Sequence, residues 1–296
     1  MPSLQVRVPA TTANVGSGFD CVGIAMDCYD ELELEIHDDP DVLRVEVDGQ
    51  GCGQVPLDER HLVVAAIRAG LAEWGGPRTG MVLRCRNRIP HSRGLGSSAS
   101  AIVAGLAFAW ALSHPDAALD RDELTRVSSR MEGHPDNAGA AVWGGGVLGW
   151  FSGDDVGLVR LGLHRDLRIR VWIPGFEVAT AGARSVLPDL VPRIDAVEQA
   201  IRAALLPVAL ERRPDLLLDA TADRLHQSYR AGLMPSSWDL VRALRAVGVP
   251  ATISGAGPTV FAIGTEAQLV RGDDVPCPGF DRTVLGIGEG VELARC

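Results

Sequence analysis

One short segment, residues 90–100, constrains this chain more than any other. Its sequence, Pro-His-Ser-Arg-Gly-Leu-Gly-Ser-Ser-Ala-Ser, follows an apolar stretch and opens the alanine-rich residues 101–112, which predict a buried helix. Glycines in such a turn let backbone N–H groups approach an anion closely, and the dipole of the following helix favours negative charge there. The segment therefore predicts a phosphate-binding turn between a strand and a buried helix.

A plainer interpretation of the same segment is a tight turn followed by a helix N-cap. Two glycines, two serines and an arginine within the six residues 93–98 favour phosphate binding over that alternative. The segment is not a Walker A loop, because no Gly-Lys-Ser or Gly-Lys-Thr triplet follows it.

Length and composition bound the class of protein. The 296 residues suffice for one large or two ordinary domains, and 46% apolar against 22% charged residues predict a well-packed core. The formal net charge of −10 disfavours nucleic-acid binding, because an acidic surface repels the phosphate backbone. A polyanionic substrate such as ATP would need a local basic patch and a metal cation.

The cysteines and the N-terminus predict a cytoplasmic protein. Six cysteines are scattered without a CxxC pair, which indicates reduced and mostly buried thiols. The first residues alternate like a strand and show no basic region followed by an apolar signal core. No uninterrupted apolar run reaches the roughly 18 residues of a membrane span. We therefore expect neither a membrane nor a nucleic-acid partner.

Hydrophobic periodicity and turn residues predict strands and helices in both halves of the chain. Strands are expected at residues 4–8, 32–36, 42–47, 81–86, 144–151, 168–174, 251–254 and 260–263, and helices at 58–74, 101–112, 120–131, 194–205, 214–224 and 236–247. Strand 42–47 is expected to pair antiparallel with strand 32–36. The predicted helix caps are Asp58, Asp120 or Asp122, and the capping-box pair Ser236 and Asp239.

This mixture predicts an α+β protein with two layers per domain. A turn-rich acidic stretch at residue 153 is the expected boundary, which gives domains 1–153 and 154–296. The small and turn-forming residues 9–20 are expected to form a loop that packs closely against the protein or a ligand.

A second polar segment, residues 132–137, reads Glu-Gly-His-Pro-Asp-Asn. Its proline ends the preceding helix, and an apolar stretch follows directly at residues 138–143. A solvated loop is the plain alternative, but the apolar residues that follow indicate that the segment lies on a buried element. We therefore expect a functional site built from Glu132, His134, Asp136 and Asn137.

Three motifs, residues 9–20, 90–100 and 253–259, together resemble the GHMP kinase superfamily. The middle motif is similar to PxxxGLGSSAA, with Ser100 in place of the second alanine. Within the superfamily the chain resembles the homoserine kinase branch over about residues 4–264. The matching motifs of that branch are PATSANLGPGFD at residues 9–20, EGHPDN at 132–137, TxxAR at 180–184 and LHQxYR at 225–230.

The resemblance implies a two-domain GHMP kinase fold. Its N-terminal, ATP-binding domain would resemble ribosomal protein S5, its C-terminal domain would be ferredoxin-like, and the site would lie between them. The implied activity is ATP-dependent phosphorylation of the γ-hydroxyl of L-homoserine, on the route to threonine. A homodimer is expected from the resemblance alone.

Phosphoryl transfer needs mostly positioning and charge neutralisation. Ser98 and Glu132 fall at the positions that hold Mg²⁺ in the family, and hard cations take oxygen ligands of this kind. The ATP-binding residues that the resemblance implies are Pro90, Arg93, Gly94, Leu95, Gly96, Ser97, Ser98, Ala99 and Ser100.

Homoserine is a zwitterion with a hydroxyl group. Its carboxylate suits the guanidinium forks of Arg184 and Arg230, for which ordinary surface salt bridges are the alternative. Thr180 is implied at the hydroxyl end. The remaining residues implied in substrate binding are Asn14, Asp20, His134, Asn137, Gly255 and Gly257.

The catalytic base is left open by the sequence. Because Asn137 matches the position beside the hydroxyl, direct in-line attack is favoured over general-base catalysis, with Asp136 as the fallback base. Ser17 replaces a usual proline, and residues 138–140 also depart from the branch. A paralogue that acts on L-threonine or another hydroxy amino acid therefore remains the alternative. A non-catalytic nucleotide sensor is disfavoured, since Ser98 and Glu132 are both present.

Overall fold

The computed structural model describes residues 3–295, apart from the side chains of Thr180 and Ala181. Its strands are β1 (Ser3–Asn14), β2 (Gly18–His37), β3 (Leu43–Gly49), β4 (Gly80–Asn87), β5 (Gly146–Ser152), β6 (Asp155–Leu161), β7 (Leu167–Pro174), β8 (Ala251–Ile253), β9 (Val260–Thr265), β10 (Phe280–Leu285) and β11 (Glu292–Arg295). Its α-helices are α1 (Leu62–Trp74), α2 (Ser97–Ser113), α3 (Arg121–Glu132), α4 (Pro135–Trp143), α5 (Thr180–Ser185), α6 (Arg193–Glu211), α7 (Leu217–Ala220), α8 (Gln227–Arg230), α9 (Pro235–Ala246) and α10 (Glu266–Leu269). Short 3₁₀ turns lie at Pro214–Leu216, Ala231–Leu233 and Val270–Gly272.

The first sheet has the strand order β11-β1-β2-β4-β3, and β5 and β6 extend it from β2. Helices α1 and α2 pack on one face, over a core that includes Leu34, Leu83 and Phe108. Gly105 lets these two helices touch, because a Cβ there would lie 2.5 Å from the carbonyl oxygen of Val63. The almost wholly buried α2 therefore holds the turn that precedes it against a fixed core.

The second sheet is antiparallel, in the order β10-β7-β9-β8. One cluster of buried apolar side chains joins it to the first sheet: Ile24 and Met26 of β2 pack with Val171 and Phe261 of β7 and β9. Side chains that meet at the junction of the two sheets are therefore supported by one shared hydrophobic core.

Residues 42–47 do not pair with β2, which corrects the predicted hairpin. Strand β4 lies between β2 and β3, and β3 pairs with it in parallel, beginning at Leu43 and Met81. The side chains of Met81 and Leu83 are completely buried, whereas most of β3 is half-exposed or exposed. The more apolar strand takes the interior position, and β3 is left at the edge of the sheet.

Three predicted helix ends are wrong. Helix α1 begins at Leu62 after the cap residue His61, because the Asp58 carboxylate instead accepts hydrogen bonds from Arg60. Helix α9 begins at Pro235, so Ser236 lies inside it and no side chain caps it. The predicted helix 214–224 is a 3₁₀ turn followed by α7, which ends at Ala220. Asp120 caps α3 as predicted.

The predicted loop 9–20 is mostly strand. Strand β1 continues to Asn14 and β2 begins at Gly18, so only a short turn separates them. The predicted boundary at residue 153 lies in the turn between the paired strands β5 and β6, and β11 returns to the first sheet. We therefore propose that the two units divide after β6, with the C-terminal strand belonging to the first.

The expectation of mostly buried thiols is wrong for the described cysteines. Cys85 is buried, Cys21, Cys28 and Cys277 are half-buried, and Cys52 is exposed. Cys296 lies outside the described residues. Within residues 3–295, no helix combines the length and apolar character that a membrane crossing requires.

Candidate active site

A cleft of about 450 Å³ lies at the junction of the two sheets. The structure brings thirteen of the predicted site residues to its walls, although they come from six separate parts of the chain. They are Asn14, Asp20, Gly94, Gly96, Ser97, Ser98, Glu132, His134, Asp136, Asn137, Arg184, Arg230 and Gly255.

The turn before α2 requires its glycines. Gly94 and Gly96 have φ values of 74° and 72°, in the left-handed region that favours glycine. A Cβ on Gly96 would lie 1.9 Å from Thr11 Oγ1, and one on Gly94 would lie 2.3 Å from the carbonyl oxygen of Ser254. No described side chain caps α2, so its first N–H groups suit an anion in the cleft.

Several residues predicted to bind ATP do not line this cleft. Leu95, Ala99 and Ser100 are buried, and the Ser100 hydroxyl donates to the carbonyl oxygen of Pro9 at 2.7 Å. Pro90 also lies away from the cleft walls. These residues hold the turn onto the core, which is a structural role that the motif alone does not separate from ligand contact.

Arg93 is also directed away from the cleft, because its donors are used elsewhere. Its Nε donates to the carbonyl oxygen of Pro174 at 2.9 Å, and Nη2 donates to that of Gly175 at 3.2 Å. Its Nη1 contacts the Glu177 carboxylate at 2.9 Å and the carbonyl oxygen of His91 at 3.2 Å. Arg93 thus ties the turn to the segment after β7.

Gly257 does not line the cleft either. A Cβ at this position would lie 2.5 Å from Met234 Sδ, and its φ is 88°. Its N–H donates to the carbonyl oxygen of Ser254 at 2.8 Å. Gly257 therefore shapes the β8–β9 turn from behind, whereas Gly255 reaches the cleft.

Ser98 and Glu132 lie next to one another on one wall of the cleft. The Ser98 hydroxyl donates to Glu132 Oε2 at 3.0 Å. Burial raises the pKa of Glu132, and the hydrogen bond from Ser98 opposes that rise. One hydroxyl and one carboxylate are hard oxygen donors that fit Mg²⁺, which keeps several waters and takes phosphate oxygens as further ligands. The residues present therefore fit the ion, although the described chain shows no cluster of three His, Cys, Asp or Glu ligands.

Residues 132–137 do not form the predicted loop. Helix α3 ends at Glu132 as predicted, but Pro135 occupies the first turn of α4, where its missing N–H costs nothing, so a second helix begins within the segment. Helix α4 packs tightly on β2, because a Cβ on Gly23 would lie 2.1 Å from the carbonyl oxygen of Asp136. Asp136 and Asn137 are consequently fixed on the first turn of a buried helix.

Asp136 is the most perturbed carboxyl group in the cleft. Asp136 is 2% exposed, and the pKa of its carboxyl group is raised to about 7. Burial is the main cause, and the nearby carboxylates of Asp20 and Glu132 add to it, whereas the N–H of Asn137 and the charge of Arg184 oppose it. The Asn137 side-chain oxygen accepts a hydrogen bond from Thr11 Oγ1 at 2.8 Å, which directs its amide nitrogen elsewhere.

Asp20 and Arg184 form an ion pair in the cleft. Arg184 Nη2 lies 2.8 Å from Asp20 Oδ1, and Nη1 lies 3.3 Å from Oδ2. Asp20 has a φ of 57°, and its N–H donates to Asn14 Oδ1 at 2.9 Å. Asn14 Nδ2 in turn donates to the carbonyl oxygen of Gly255 at 2.8 Å. Asn14 therefore holds Asp20 and the β8–β9 turn in place.

Arg230 lies beside this pair but is 2% exposed. Its Nε donates to the carbonyl oxygen of Ala183 at 2.9 Å, and Nη1 donates to that of Gly255 at 3.2 Å. Burial and the charges of the two cleft arginines lower the pKa of His134, while Asp20 raises it. The side chain of Thr180, at the start of α5, lies outside the described part.

A smaller cavity of about 240 Å³ adjoins the cleft, since Leu62, Ser92, Ser97 and Ser98 line both. Its other walls are mainly apolar, and it contains the buried His61, whose Nδ1 has no partner among the described residues. Sequence reasoning missed this cavity because, apart from residues of the 90–100 segment such as Ser92, Ser97 and Ser98, its walls come mostly from β1, β2, β4, α1 and the turns around them and carry no motif. The buried polar atom on an apolar wall fits a flat ligand with one polar edge.

Comparisons with known proteins agree with this arrangement. The family described as GHMP kinases N terminal domain matches residues 61–145, and that described as GHMP kinases C terminal matches residues 203–271. These matches place the chain among the GHMP kinases.

The similarity extends to a particular branch. The chain is 48% identical to a homoserine kinase of Cutibacterium acnes, over 98% of this chain and 99% of that protein. A crystal structure of homoserine kinase from Cytophaga hutchinsonii matches with a TM-score of 0.82 at 28% identity, covering 99% and 97% of the two chains. A putative homoserine kinase from Listeria monocytogenes matches with a TM-score of 0.77 at 30% identity, covering 99% of each chain. The chain belongs to the homoserine kinase family, which confirms the resemblance and the fold class drawn from its motifs.

Proposed function

We propose that this protein transfers the terminal phosphoryl group of ATP to the side-chain hydroxyl of L-homoserine. The observation that carries the proposal is the composition of one cleft. An anion-binding turn and the Ser98–Glu132 pair line one part of it, and Asp20, Arg184 and Arg230 line the other. A triphosphate and a small zwitterion are the two ligands that such walls match.

The nucleotide would occupy both cavities. Its phosphates would lie on the backbone N–H groups of residues 94–98, and its base would enter the 240 Å³ cavity beside them. The apolar walls suit an aromatic ring, and the unpartnered Nδ1 of His61 would meet a polar edge of the base.

Mg²⁺ would be held by Ser98 and Glu132. When bound, the ion neutralises charge on the phosphate oxygens. The Glu132 carboxylate already accepts a hydrogen bond from Ser98, so both oxygens lie on the same side of the cleft.

The amino acid would bind against the Asp20–Arg184 pair and Arg230. Its carboxylate would accept hydrogen bonds from the guanidinium groups of Arg184 and Arg230, and its ammonium group would pair with the Asp20 carboxylate. The side-chain hydroxyl would then lie toward Asn137 and His134, which line the same cleft as Ser98. The chain's own part in the reaction is to align this hydroxyl with the terminal phosphate.

Direct in-line transfer is the mechanism that we propose, since Asn137 cannot accept a proton. One observation favours general-base catalysis as the second candidate: the pKa of Asp136 is about 7, which suits a base that works near neutral pH.

The variant Asp136→Asn separates these mechanisms. We expect kcat to fall by about tenfold or less, because a positioned general base contributes roughly 10²–10⁴-fold and direct transfer does not depend on one. Steady-state kinetics with saturating ATP and homoserine measure the change. A loss of about a thousandfold, with the Michaelis constants unchanged, would establish Asp136 as the base.

The same variant should alter stability in a pH-dependent way. An ordinary Asp ionises near pH 3.8, and Asp136 in the folded protein does so near pH 7. Between these values the folded protein binds the additional proton, so this group lowers stability as the pH rises through the window. Asp136→Asn should therefore be more stable than the parent at pH 8, by on the order of 4 kcal/mol, and equally stable near pH 4. Urea unfolding at both pH values tests this, with the exposed Asp122→Asn of α3 as control.

Arg93→Lys tests the correction made for that residue. We expect the KM for ATP to change by less than about threefold, because the guanidinium lies outside the cleft and is bonded to β7 and Glu177. The free energy of unfolding should fall by about 1–2 kcal/mol as those hydrogen bonds are lost. If the KM for ATP rises more than about tenfold while the free energy of unfolding is unchanged, Arg93 would instead contact the phosphates of ATP.

A substrate panel tests the proposed function itself. ADP release would be measured with L-homoserine, L-threonine, L-serine and mevalonate at equal concentrations. L-homoserine should give the highest kcat/KM. A higher value with L-threonine would support the alternative hydroxy-amino-acid kinase, and activity with mevalonate alone would refute the zwitterion site.

The expected homodimer is also a proposal, and α6 offers a surface for it. Ile194, Val197 and Ile201 are 64%, 50% and 62% exposed, and Val208 continues the stripe at 45%. Ile194, Ile201 and Val208 are spaced by seven, with Val197 between, which is the spacing of an apolar helix-pairing seam. Such a stripe can pair with its own copy in antiparallel orientation, which would bring Arg193 of one copy near the Glu211 end of the other.

Ile201→Glu should therefore convert a dimer into a monomer, because it places two like charges at the centre of that pairing. Sedimentation equilibrium measures the change, with Val159→Glu, an exposed apolar residue of β6, as control. A parent protein that is monomeric, or a variant that stays dimeric, would contradict this surface.

A further inference from the structure

The structure assigns to His226 the task of positioning Arg230 for the carboxylate of the amino-acid substrate; this rests on the proposed function of the cleft. His226 is completely buried and does not line the cleft. His226 therefore acts through the Arg230 guanidinium, which does line the cleft.

The partners of His226 fix its tautomer. Its Nε2 lies 2.9 Å from the carbonyl oxygen of Gly16, which can only accept, so Nε2 carries the proton. Its Nδ1 lies 3.2 Å from Arg230 Nη1, which can only donate, so Nδ1 carries the lone pair. The neutral imidazole with its proton on Nε2 is the one form that satisfies both contacts.

The imidazole ring is itself held firmly. The Phe19 ring stacks on it with centroids 4.8 Å apart and an interplanar angle of 14°. Asp223 Oδ1 lies 3.6 Å from Nε2, but this carboxylate accepts backbone N–H groups of residues 225, 226 and 227 at 2.8–3.0 Å. The carboxylate therefore anchors the start of α8.

The Gly16 turn is equally constrained. A Cβ on Gly16 would lie 2.0 Å from the carbonyl oxygen of Thr221. Ser17 Oγ donates to the carbonyl oxygen of Ala220 at 2.6 Å, and Gln199 Nε2 donates to that of Ser17 at 2.9 Å. His226 consequently links the Arg230 guanidinium to a turn that α6 and α7 hold in place.

Arg230 needs this acceptor because it is buried. Its other described hydrogen-bond partners are the carbonyl oxygens of Ala183 and Gly255, which lie on α5 and on the β8–β9 turn, and its guanidinium also lies 5.5 Å from the centroid of the Phe19 ring. Without Nδ1 of His226, Nη1 keeps a single acceptor and the guanidinium can rotate. A carboxylate bound by a rotated fork loses the paired geometry that makes such contacts strong.

Two amide variants separate positioning from simple support of the fold. In His226→Asn the short amide can place its oxygen near the Nδ1 position and accept from Arg230. In His226→Gln the longer amide reaches the Nε2 position, where it can donate to Gly16, but it does not replace the Nδ1 acceptor of Arg230. His226→Phe keeps the stack on Phe19 and removes both hydrogen bonds.

The test is calorimetric binding of L-homoserine to each variant without nucleotide, together with KM, kcat and Tm. We expect the Kd and KM for homoserine to rise by about tenfold to a hundredfold in His226→Gln and His226→Phe, and by less than about fivefold in His226→Asn. The KM for ATP should stay within about threefold of the parent value in all three. His226→Ser serves as a fourth variant that removes the ring and both contacts, and its affinity should fall with the Gln and Phe group.

Equal affinity of the Asn and Gln variants would overturn the assignment, as would a lowered Tm with unchanged affinity for homoserine. If His226→Phe does not fold, the comparison of Asn with Gln still decides. Failure of the proposed function looks different: the parent protein would then neither bind homoserine nor release ADP with it.

Discussion

Replacing Glu132 by glutamine should lower kcat by about 10²–10³-fold. The substitution keeps the shape of the side chain and removes the only carboxylate that contacts Ser98 in the described cleft. A bound metal ion supplies several kcal/mol of charge stabilisation in the transition state, and about 1.4 kcal/mol corresponds to a factor of ten in rate. The KM for homoserine should change by less than about threefold, because the amino-acid side of the cleft is untouched.

The decisive measurement is the dependence of the rate on Mg²⁺ concentration. In Glu132→Gln the half-saturating concentration of Mg²⁺ should rise, whereas Asp122→Asn, on the exposed side of the same helix, should behave like the parent. Ser98→Ala should act in the same direction, and the double variant should lose little more than Glu132→Gln, since both side chains are proposed to hold the same ion. A Glu132→Gln variant with the parent's rate and metal dependence would remove Glu132 from the metal site.

The second large effect concerns the amino-acid side of the cleft. Arg184→Gln should raise the KM for homoserine by about tenfold to a hundredfold, because a hydrogen bond to a charged group contributes about 1.5–3 kcal/mol. The Tm should change little, since the pair of Arg184 with Asp20 is about 40% exposed on both sides, and such pairs add little stability. The KM for ATP should remain near the parent value.

Arg184→Lys provides the graded comparison. It keeps the charge but loses the planar fork, so its KM for homoserine should lie between those of the parent and Arg184→Gln. Arg193→Gln, a residue at the start of α6, is the matched control for loss of one positive charge. Equal KM values for the parent and Arg184→Gln would show that Arg184 is a surface salt bridge and no more.

The motif residues were predictable from the sequence because their chemistry is local. A turn that holds an anion needs glycines followed by hydroxyls in adjacent positions, so residues 94–98 could be assigned directly. The resemblance also placed Leu95 and Ser100 in the ATP site, and their side chains are buried away from the cleft, so only their backbone could contact a ligand there. A motif records every residue that a site requires, including those that bind the turn to the core.

Long-range contacts account for the other errors. Arg93 lies in the right turn, but its direction is set by carbonyl oxygens at the end of β7, which no nearby sequence reveals. The order of β2, β4 and β3 depends on the relative burial of three strands. The end of the helix before Pro135 was predicted correctly, since α3 stops at Glu132, but the helix α4 that begins at this proline was missed because its packing on β2 is not visible in the local sequence.

The His61 cavity illustrates what periodicity cannot supply. His61 lies between an exposed acidic segment and an apolar helix, and its sequence context is that of an ordinary cap position. Only the folded structure shows that His61 is buried, that its Nδ1 has no described partner, and that it lines the same cavity as Ser97 and Ser98.

The closed pairing of Asp20 with Arg184 bears on selectivity. Each of these charges is the counterpart of the other, so under the proposed function an amino acid that separates them must compensate both. A hydroxy acid without an amine would pair with the Arg184 guanidinium but leave the Asp20 carboxylate without a positive partner. An amino alcohol would pair with Asp20 and leave Arg184 without a negative partner. If the cleft binds the amino acid as proposed, this ion pair by itself should discriminate against such half-matched metabolites, without a steric barrier.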